Sequence, residues 1–591
     1  MFDVRDMVNG QWLLVEEEAV NCIPPTSAKM LVEHYRRDFI ERIVGHRLII
    51  ITNQDVDAVC TVKILTTLFK TEGIQYILLS CSGLTELKEK YDEYNSQSDR
   101  CLLVNCGGTI DVLDLLGNPP REKLFFILDY HRPLNILNYY NATGQVVIIS
   151  VLESEENIPE IDEIFREEPP DSSEEEDDHD DDEALDANGM NERQRRKTER
   201  RAQRQLYTTW VKKREHLLFT YREHSYYSRP SALYGLEIAW GMSRDDMESV
   251  WSAIVSLTDS LVLGRLPRPK YSEYASTVND HILRISNANQ LPRDCLKIRF
   301  ERDLFLFLYR HWSVYDSLKT TPYVVSTLKT WSQDGHRKLK QMLAHLGLPL
   351  SEVKQKYANM SLDLRRQLVE MFSSQVVVEN YKLPDLVFGS FVAEIGFRPK
   401  FNALDVQLAT LALLEEPDPN KTEEERFLLA VQGLDVRNFE KGGIEKAKGM
   451  MKQVNNQVQM MVEMKLVQEV GPFLFVQLTD SMIDFNYFKR PAGIPLLANF
   501  LQHAGIRAGK KGWRQSPWLI MIPYDQEYFV AVGVQPGAFE QADKNIFPEV
   551  FRCIKGKMGE DVVADWFDGW AILVKNQKRQ VFADLLLALS E

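Results

Sequence analysis

Acidic side chains recur at the ends of apolar runs, in four short motifs: Asn53-Gln54-Asp55-Val56-Asp57, Val104-Asn105-Cys106-Gly107, Leu128-Asp129-Tyr130-His131-Arg132-Pro133 and Leu257-Thr258-Asp259. Carboxylates and imidazoles that converge can hold two divalent metals about 3.5–4 Å apart, the arrangement that cleaves phosphodiesters. Asp55, Asp57, Asp129, His131 and Asp259 are the candidate ligands, while Asn105 and Tyr130 stand where further ligands are expected. A neutral amide is a poor donor for a hard cation beside carboxylates. A phenol would have to ionise from a pKa near 10. The set reads as a metal centre with pieces removed, so a binding role is considered before a catalytic one. The bland alternative is a hydrogen-bonded polar cluster, in which the buried acids need donors such as Asn105, Thr258 or backbone N–H groups.

Residues 46–151 must position these motifs. His46–Asn53, Ile74–Cys81, Cys101–Cys106, Leu124–Asp129 and Gln145–Val151 read as strands. Val56–Thr71 and Gly83–Tyr94 read as helices, with shorter ones at Asp111–Leu116 and Leu134–Tyr140. The strand runs are continuously apolar, as in strands buried on both faces. Alternation of strand and helix predicts a parallel doubly wound sheet. Ligands of such sheets bind at the C-terminal strand ends, where the first three motifs lie.

The chain of 591 residues is too long for one core, so three or four domains are expected. The seven cysteines are scattered without a Cys-x-x-Cys pair, and no apolar run is long enough to span a bilayer. The first residues carry no secretory-signal pattern, which leads to the expectation of a soluble intracellular protein. Residues 151–190 hold 19 Asp or Glu against one Arg, a charge of −18, which leaves the rest of the chain at +2 within the total of −16. Residues 152–190 are therefore expected to be an acidic disordered insert. A basic run follows, from Arg193 to Arg201 and on through Arg204 to Arg214, and reads as one long helix. It is either a solvated face or a site for nuclear import or nucleic acid.

Residues 231–265 look like two helices, with Asp259 near the end of the second. Residues 296–374 read as mostly helical and rich in aromatics. Within them, Arg310, His311, Trp312 and Tyr315 belong either to a packed core or to a partner-facing edge. Residues 466–591 return to a smaller α/β pattern, with strands over Leu466–Leu478, Pro517–Pro523, Tyr528–Val534 and Trp570–Val574. Arg507, Lys510, Lys511 and Arg514 with Trp513 form either an exposed loop or a contact for single-stranded DNA by charge and stacking. The glycines at 505 and 509 are spaced wrongly for a phosphate-binding loop, and no Ser or Thr follows the lysines.

The ordered motif series resembles the DHH phosphoesterases, which include the RecJ exonuclease. More narrowly, Asp55-Val56-Asp57-Ala58, Val104-Asn105-Cys106-Gly107, Asp129-Tyr130-His131-Arg132-Pro133, Arg310-His311-Trp312-Ser313-Val314-Tyr315-Asp316-Ser317 and Phe488-Lys489-Arg490-Pro491 resemble the eukaryotic cell division cycle protein 45 family. The resemblance implies an α/β fold in three parts: a RecJ-like DHH domain over 30–265, interrupted by the acidic insert 152–190 and the basic helix 191–225; a helical helicase-interaction domain over 266–400; and a smaller DHHA1-like α/β domain over 401–591. Residues 1–29 are expected to be an extension. The resemblance further implies a nuclear, non-catalytic scaffold subunit of the replicative DNA helicase, neither nuclease nor ATPase and without a cofactor. Its implied partners are the minichromosome-maintenance hexamer, the GINS complex, other replication-fork proteins and, weakly, single-stranded DNA. Active nucleases of the superfamily carry Asp at the position of Asn105 and His at that of Tyr130, so the acid cluster is expected to be vestigial. The competing hypothesis is a manganese-dependent exonuclease or phosphodiesterase; an acidic histone-binding protein would leave the α/β domains unexplained. Deleting residues 171–186 is expected to leave the thermal melting temperature unchanged, because that segment has almost no apolar side chains to add to a core; a large drop in a melting scan would contradict this.

Overall fold

The computed structural model describes residues 31–151, 156–166, 192–288, 295–396, 398–435, 437, 442–478, 487–488, 490–509, 511–535 and 544–589. The N-terminal extension 1–29 and most of the acidic insert lie outside the described residues.

Five apolar segments form one parallel sheet: β1 (Leu48–Asn53), β2 (Tyr76–Cys81), β3 (Arg100–Val104), β4 (Leu124–Leu128) and β5 (Val146–Ile148), in the order β2-β1-β3-β4-β5. Every β1 residue is buried, as expected for a strand covered on both faces. The strand order reverses between β1 and β3, and the crevice outside their C-terminal ends is where such folds place a ligand. The register pairs Thr52 with Val104 and Val104 with Leu128. The residues that follow these strands, Asp55, Asn105 and Asp129, are thereby brought side by side.

Asp55 caps the helix α1 (Val56–Thr71), its Oδ1 accepting the N–H of Ala58 at 2.7 Å. The helices α2 (Ser231–Gly241) and α3 (Met247–Val262) pack on α1, and α4 (Ala403–Leu414), buried at every position, packs on α3. One continuous core therefore runs from α1 through α3 and α4 into the C-terminal half of the chain.

The structure departs from the sequence expectation in three places; in one, the span Leu466–Leu478 turns back on itself as the antiparallel pair Val467–Val470 and Phe473–Gln477. The insert was expected to lack structure from residue 152, yet residues 156–166 fold onto the first sheet. Ile164 is buried with Leu134, Tyr139, Tyr140 and Ile148, and Glu156 pairs with the buried Arg132 at 2.8 Å. Ile158, Ile161, Ile164 and Phe165 supply the apolar surface that the tract Glu174–Asp182 lacks. The basic run does form one helix, Glu192–Arg222, whose C-terminal end rests on this patch through Leu217 and Leu218. Third, the helical middle part opens and closes with strands. Leu296–Leu304 (β6) and Val387–Ile395 (β7) pair antiparallel, and Phe401–Asn402 adds to β7. Leu296, Ile298 and Phe300 alternate with polar residues, a period-two signal outweighed by the aromatic richness that follows.

The C-terminal part holds a six-stranded sheet, mainly antiparallel, with Phe473–Gln477 and Trp518–Pro523 as its one parallel pair among the described residues. A loop of this part crosses the strand ends of the first sheet. Asp565 caps the helix Leu84–Tyr94, accepting from Thr85 N at 2.8 Å and Thr85 Oγ1 at 2.7 Å, while its carbonyl accepts from Leu84 N at 2.8 Å. Gly83 permits this approach, since a Cβ there would lie 2.3 Å from Asp565 Oδ2. Asp565→Ala is expected to cost about 1 kcal/mol, the usual value of a lost helix cap, measured as a lower urea midpoint at constant slope.

Candidate functional site

The three predicted strand-end motifs and the predicted helix motif do converge, and they are joined by residues that spacing alone did not reveal. Asp57 is completely buried. Its carboxylate accepts from Asn105 Nδ2 at 2.8 Å, from the backbone N–H of Ser231 at 3.0 Å and of Ala232 at 3.1 Å, and from Ser256 Oγ. Two of these donors open α2, where the helix dipole favours an anion. Asp55 accepts from Asn53 Nδ2 at 2.8 Å and from Asn105 Nδ2 at 3.2 and 3.3 Å. Asn105 Oδ1 accepts from Ser231 Oγ at 2.6 Å, which turns the amide nitrogen of Asn105 towards both acids.

The second half of the site centres on His131. Its Nδ1 lies 2.6 Å from Asp129 Oδ1 and its Nε2 lies 3.2 Å from Asp568 Oδ1, the latter on the C-terminal loop that crosses the strand ends. Asp129 also accepts the N–H groups of Gly107 at 3.0 Å and Gly108 at 2.7 Å. A Cβ on Gly108 would stand 3.0 Å from the Asp129 carboxylate, so a larger residue would crowd this cradle. Tyr227 donates its hydroxyl to Asp568 at 2.5 Å and stacks on Tyr130 with ring centroids 5.2 Å apart. Arg265 lies over both rings, at 5.5 Å from Tyr130 and 5.0 Å from Tyr227. Its guanidinium meets Asp259 at 3.3 Å and Asp568 at 4.0 Å. Gln407, on α4, donates to Asp259 at 2.7 Å.

The protonation behaviour follows from this geometry. Burial opposes a charged imidazole, but Asp129 and Asp568 outweigh it and raise His131 to about 10. Burial likewise opposes ionised Asp129, yet His131 and the N–H donors hold it down at about 2. Asp568 is lowered for the same reasons, burial being outweighed by His131 and Arg265. Burial, with Asp57 nearby, lifts Asp55 to about 7, and burial lifts Asp259 to about 6.

A two-metal centre does not fit these residues. Both ring nitrogens of His131 are engaged, Nδ1 by Asp129 and Nε2 by Asp568, so neither is turned to Asp55 or Asp57. Asn105 turns N–H groups, not oxygen, towards Asp55 and Asp57. The Tyr130 hydroxyl is buried without a hydrogen-bond partner, and its ring lies under the Arg265 cation. Among the described residues no three His, Cys, Asp or Glu side chains are placed to hold a metal ion.

Arg265, Asp568, Tyr227, Ser231, Ser256 and Gln407 were missed. Gly264-Arg265-Leu266-Pro267 and Trp566-Phe567-Asp568-Gly569-Trp570 match no motif of catalysis, and Asp568 lies 437 residues from His131. The other proposed contacts separate from this cluster. Arg310 pairs with buried Asp303 at 3.0 Å, and His311 sits 3.6 Å from Asp405, lowered to about 4 by burial and by Lys448 and Arg310. Both side chains are partly buried and hold acids of this chain. Trp312 and Tyr315 are half-buried, with Lys452 over the first ring and Lys319 and Lys354 over the second. Of the basic group, Arg507 and Arg514 are exposed, Lys510 lies outside the described residues, and nothing is described of the Lys511 side chain. The half-buried ring of Trp513 packs against Gly509 and Trp518, and its Nε1 donates to Glu469 at 2.6 Å.

Fold and site together define an open-sheet α/β protein whose strand-end acids are compensated by its own cations. The sequence profile of the CDC45 family matches residues 48–191 and 153–588. The Cell division control protein 45 homolog of Mus musculus is 33% identical over 570 residues, covering 95% of this chain and 100% of the relative. Its counterpart from Homo sapiens is 32% identical with the same coverage. The crystal structure of CDC45 from Entamoeba histolytica superposes with a TM-score of 0.67 at 19% identity, over 95% of this chain and 100% of that one, and shows the shared fold. The chain belongs to the CDC45 family, which acts in DNA replication and the cell cycle. Among the described residues no helix is long and apolar enough to cross a membrane.

The raised His131 makes stability fall with alkaline pH. Its contribution is complete below 6.5, the value of a free imidazole, and is lost as pH rises through about 10. Raised Asp55 and Asp259 act in the same direction, each losing its contribution as pH climbs from the free-carboxylate range through about 7 and 6. Lowered Asp129 acts oppositely: its contribution is present above the free-carboxylate value of 3.8 and lost as pH falls through about 2. The wild type is expected to melt at lower temperature at pH 9 than at pH 6.5, and His131→Gln should shrink that difference in paired melting scans. Arg265→Met should cost about 3–5 kcal/mol, as expected when one partner leaves a buried ion pair.

Proposed function

We propose that this chain is a non-catalytic subunit of the eukaryotic replicative DNA helicase. In this reading it works in the nucleus, bridges the minichromosome-maintenance hexamer and GINS in initiation and elongation, and binds single-stranded DNA weakly. Membership of the CDC45 family supports the replication role. The non-catalytic part rests on one observation: the acids that a phosphoesterase would give to metals are satisfied from within, Asp129 by His131, Asp259 by Arg265, and Asp55 and Asp57 by the Asn105 amide and further neutral donors. Asp55, Asp57, Asp129, His131 and Asp259 are then a vestigial ligand set, with Asn105 and Tyr130 at the replaced positions.

The loop that carries Asp565 and Asp568 supports the same reading. It lies across the strand ends, with Phe567 against the core beneath them. A nucleic-acid strand would have to displace that loop and two buried ion pairs to reach Asp57. A permanent subunit should bury roughly 2,000 Å² or more against its partners, so the functional surfaces are sought on the outside of the molecule.

Purified protein with end-labelled single-stranded DNA and manganese is expected to leave the DNA intact on a denaturing gel, with a weak shift on a native gel. Cleavage products that vanish with Asp57→Ala would overturn the non-catalytic reading. In a separate pull-down, tagged protein should retain the purified hexamer together with GINS through a salt wash; failure to retain either one would refute the bridging role.

A further inference from the structure

β6 (Leu296–Leu304) is the outer strand of its three-stranded sheet, nine residues long and paired on one side only. Beyond its last register pair, Phe305 donates its N–H to Leu386 O at 2.7 Å. Antiparallel pairs alternate between hydrogen-bonded and non-bonded residues. The backbone groups of Lys297, Arg299, Glu301 and Asp303 therefore face β7, and those of Ile298, Phe300 and Arg302 point outward. Among the described residues no backbone hydrogen bond meets that outer edge.

A free edge of this length is a template for another strand, and its side chains select which. Lys297, Arg299, Phe300 and Arg302 are exposed. Arg299 meets Glu394 at 3.0 Å but keeps 59% of its side chain in solvent. Asp303 is buried against Arg310 and Tyr309, so it does not offset these cations at the surface. Lys297, Arg299 and Arg302 leave this edge net positive despite the half-buried Glu301, and a second copy of β6 would bring the same cations. An acidic strand would set carboxylates opposite them. Phe300, 42% exposed, lies over Gly389 at the rim of a cavity of about 190 Å³ lined by Leu261, Tyr271, Phe305 and Phe388, with Arg268 in its wall. Strand addition draws its affinity from main-chain bonds along such an edge.

We propose that the outer edge of β6 docks an extended acidic segment of a partner protein, which adds to the sheet as a strand. This does not depend on the helicase reading. The test uses the full chain and a fluorescein-labelled decapeptide in which Glu and Val alternate around a central Leu; a peptide with Lys for Glu is its control. Saturable anisotropy is expected with the acidic peptide and not with the basic one. Arg302→Pro removes an outward N–H and no ladder bond, a placement proline tolerates on edges. It should weaken binding by about tenfold, the scale of one lost hydrogen bond. The paired reversal Lys297→Glu with Arg299→Glu should weaken it at least as much, with the melting temperature of each variant showing that the fold is kept. The proposal is overturned if the wild type does not bind the acidic peptide, if folded edge variants bind as tightly as wild type, or if oligothymidylate, and not the peptide, is the ligand lost on charge reversal.

Discussion

Five aspartates, Asp55, Asp57, Asp129, Asp259 and Asp568, are buried together around two cations, Arg265 and His131. Removing a charge from water costs several kcal/mol even after relaxation, and only close opposite charges and hydrogen bonds offset it. The partners here come from distant parts of the chain. Asp129 and His131 end β4, Asp259 ends α3, Gln407 belongs to α4, and Asp568 sits on the C-terminal loop. None can leave without stranding a buried charge, so the cluster ties the first sheet, the helical layer and the C-terminal part into one arrangement.

That constraint explains why the switch-point crevice does not behave as an open site. In an open parallel sheet the strand ends are where a ligand would lie. In this chain the same position is filled from within, by the Asn105 amide between Asp55 and Asp57 and by the guanidinium of Arg265 over Tyr130. The crevice residues thus hold parts of the chain together.

The elements near the site were legible because their signals are local. A continuous apolar run reports a strand covered on both faces, and the Asp55 cap with α1 behind it reports a helix start. The alternation of Leu296, Ile298 and Phe300 was equally local, yet the aromatics beyond it favoured a helical reading. Residues 156–166 were misread because charge was averaged over the whole insert, which hid four apolar residues capable of packing. Arg310 and His311 left two readings open, because a charged residue beside aromatics can face solvent as well as a buried acid such as Asp303 or Asp405.

By itself the sequence determined the parallel sheet and the placement of Asp55, Asn105 and Asp129 at adjacent strand ends. These follow from periodicity and residue type, which act over a few neighbouring residues. Only the tertiary structure decided what became of the remaining acids. Arg265 and Asp568 lie on segments with no motif of their own, and they reach His131, Asp259 and Tyr130 because the C-terminal part folds back across the strand ends. Electrostatic compensation depends on distance in space, and a linear sequence does not encode that distance until the chain is packed.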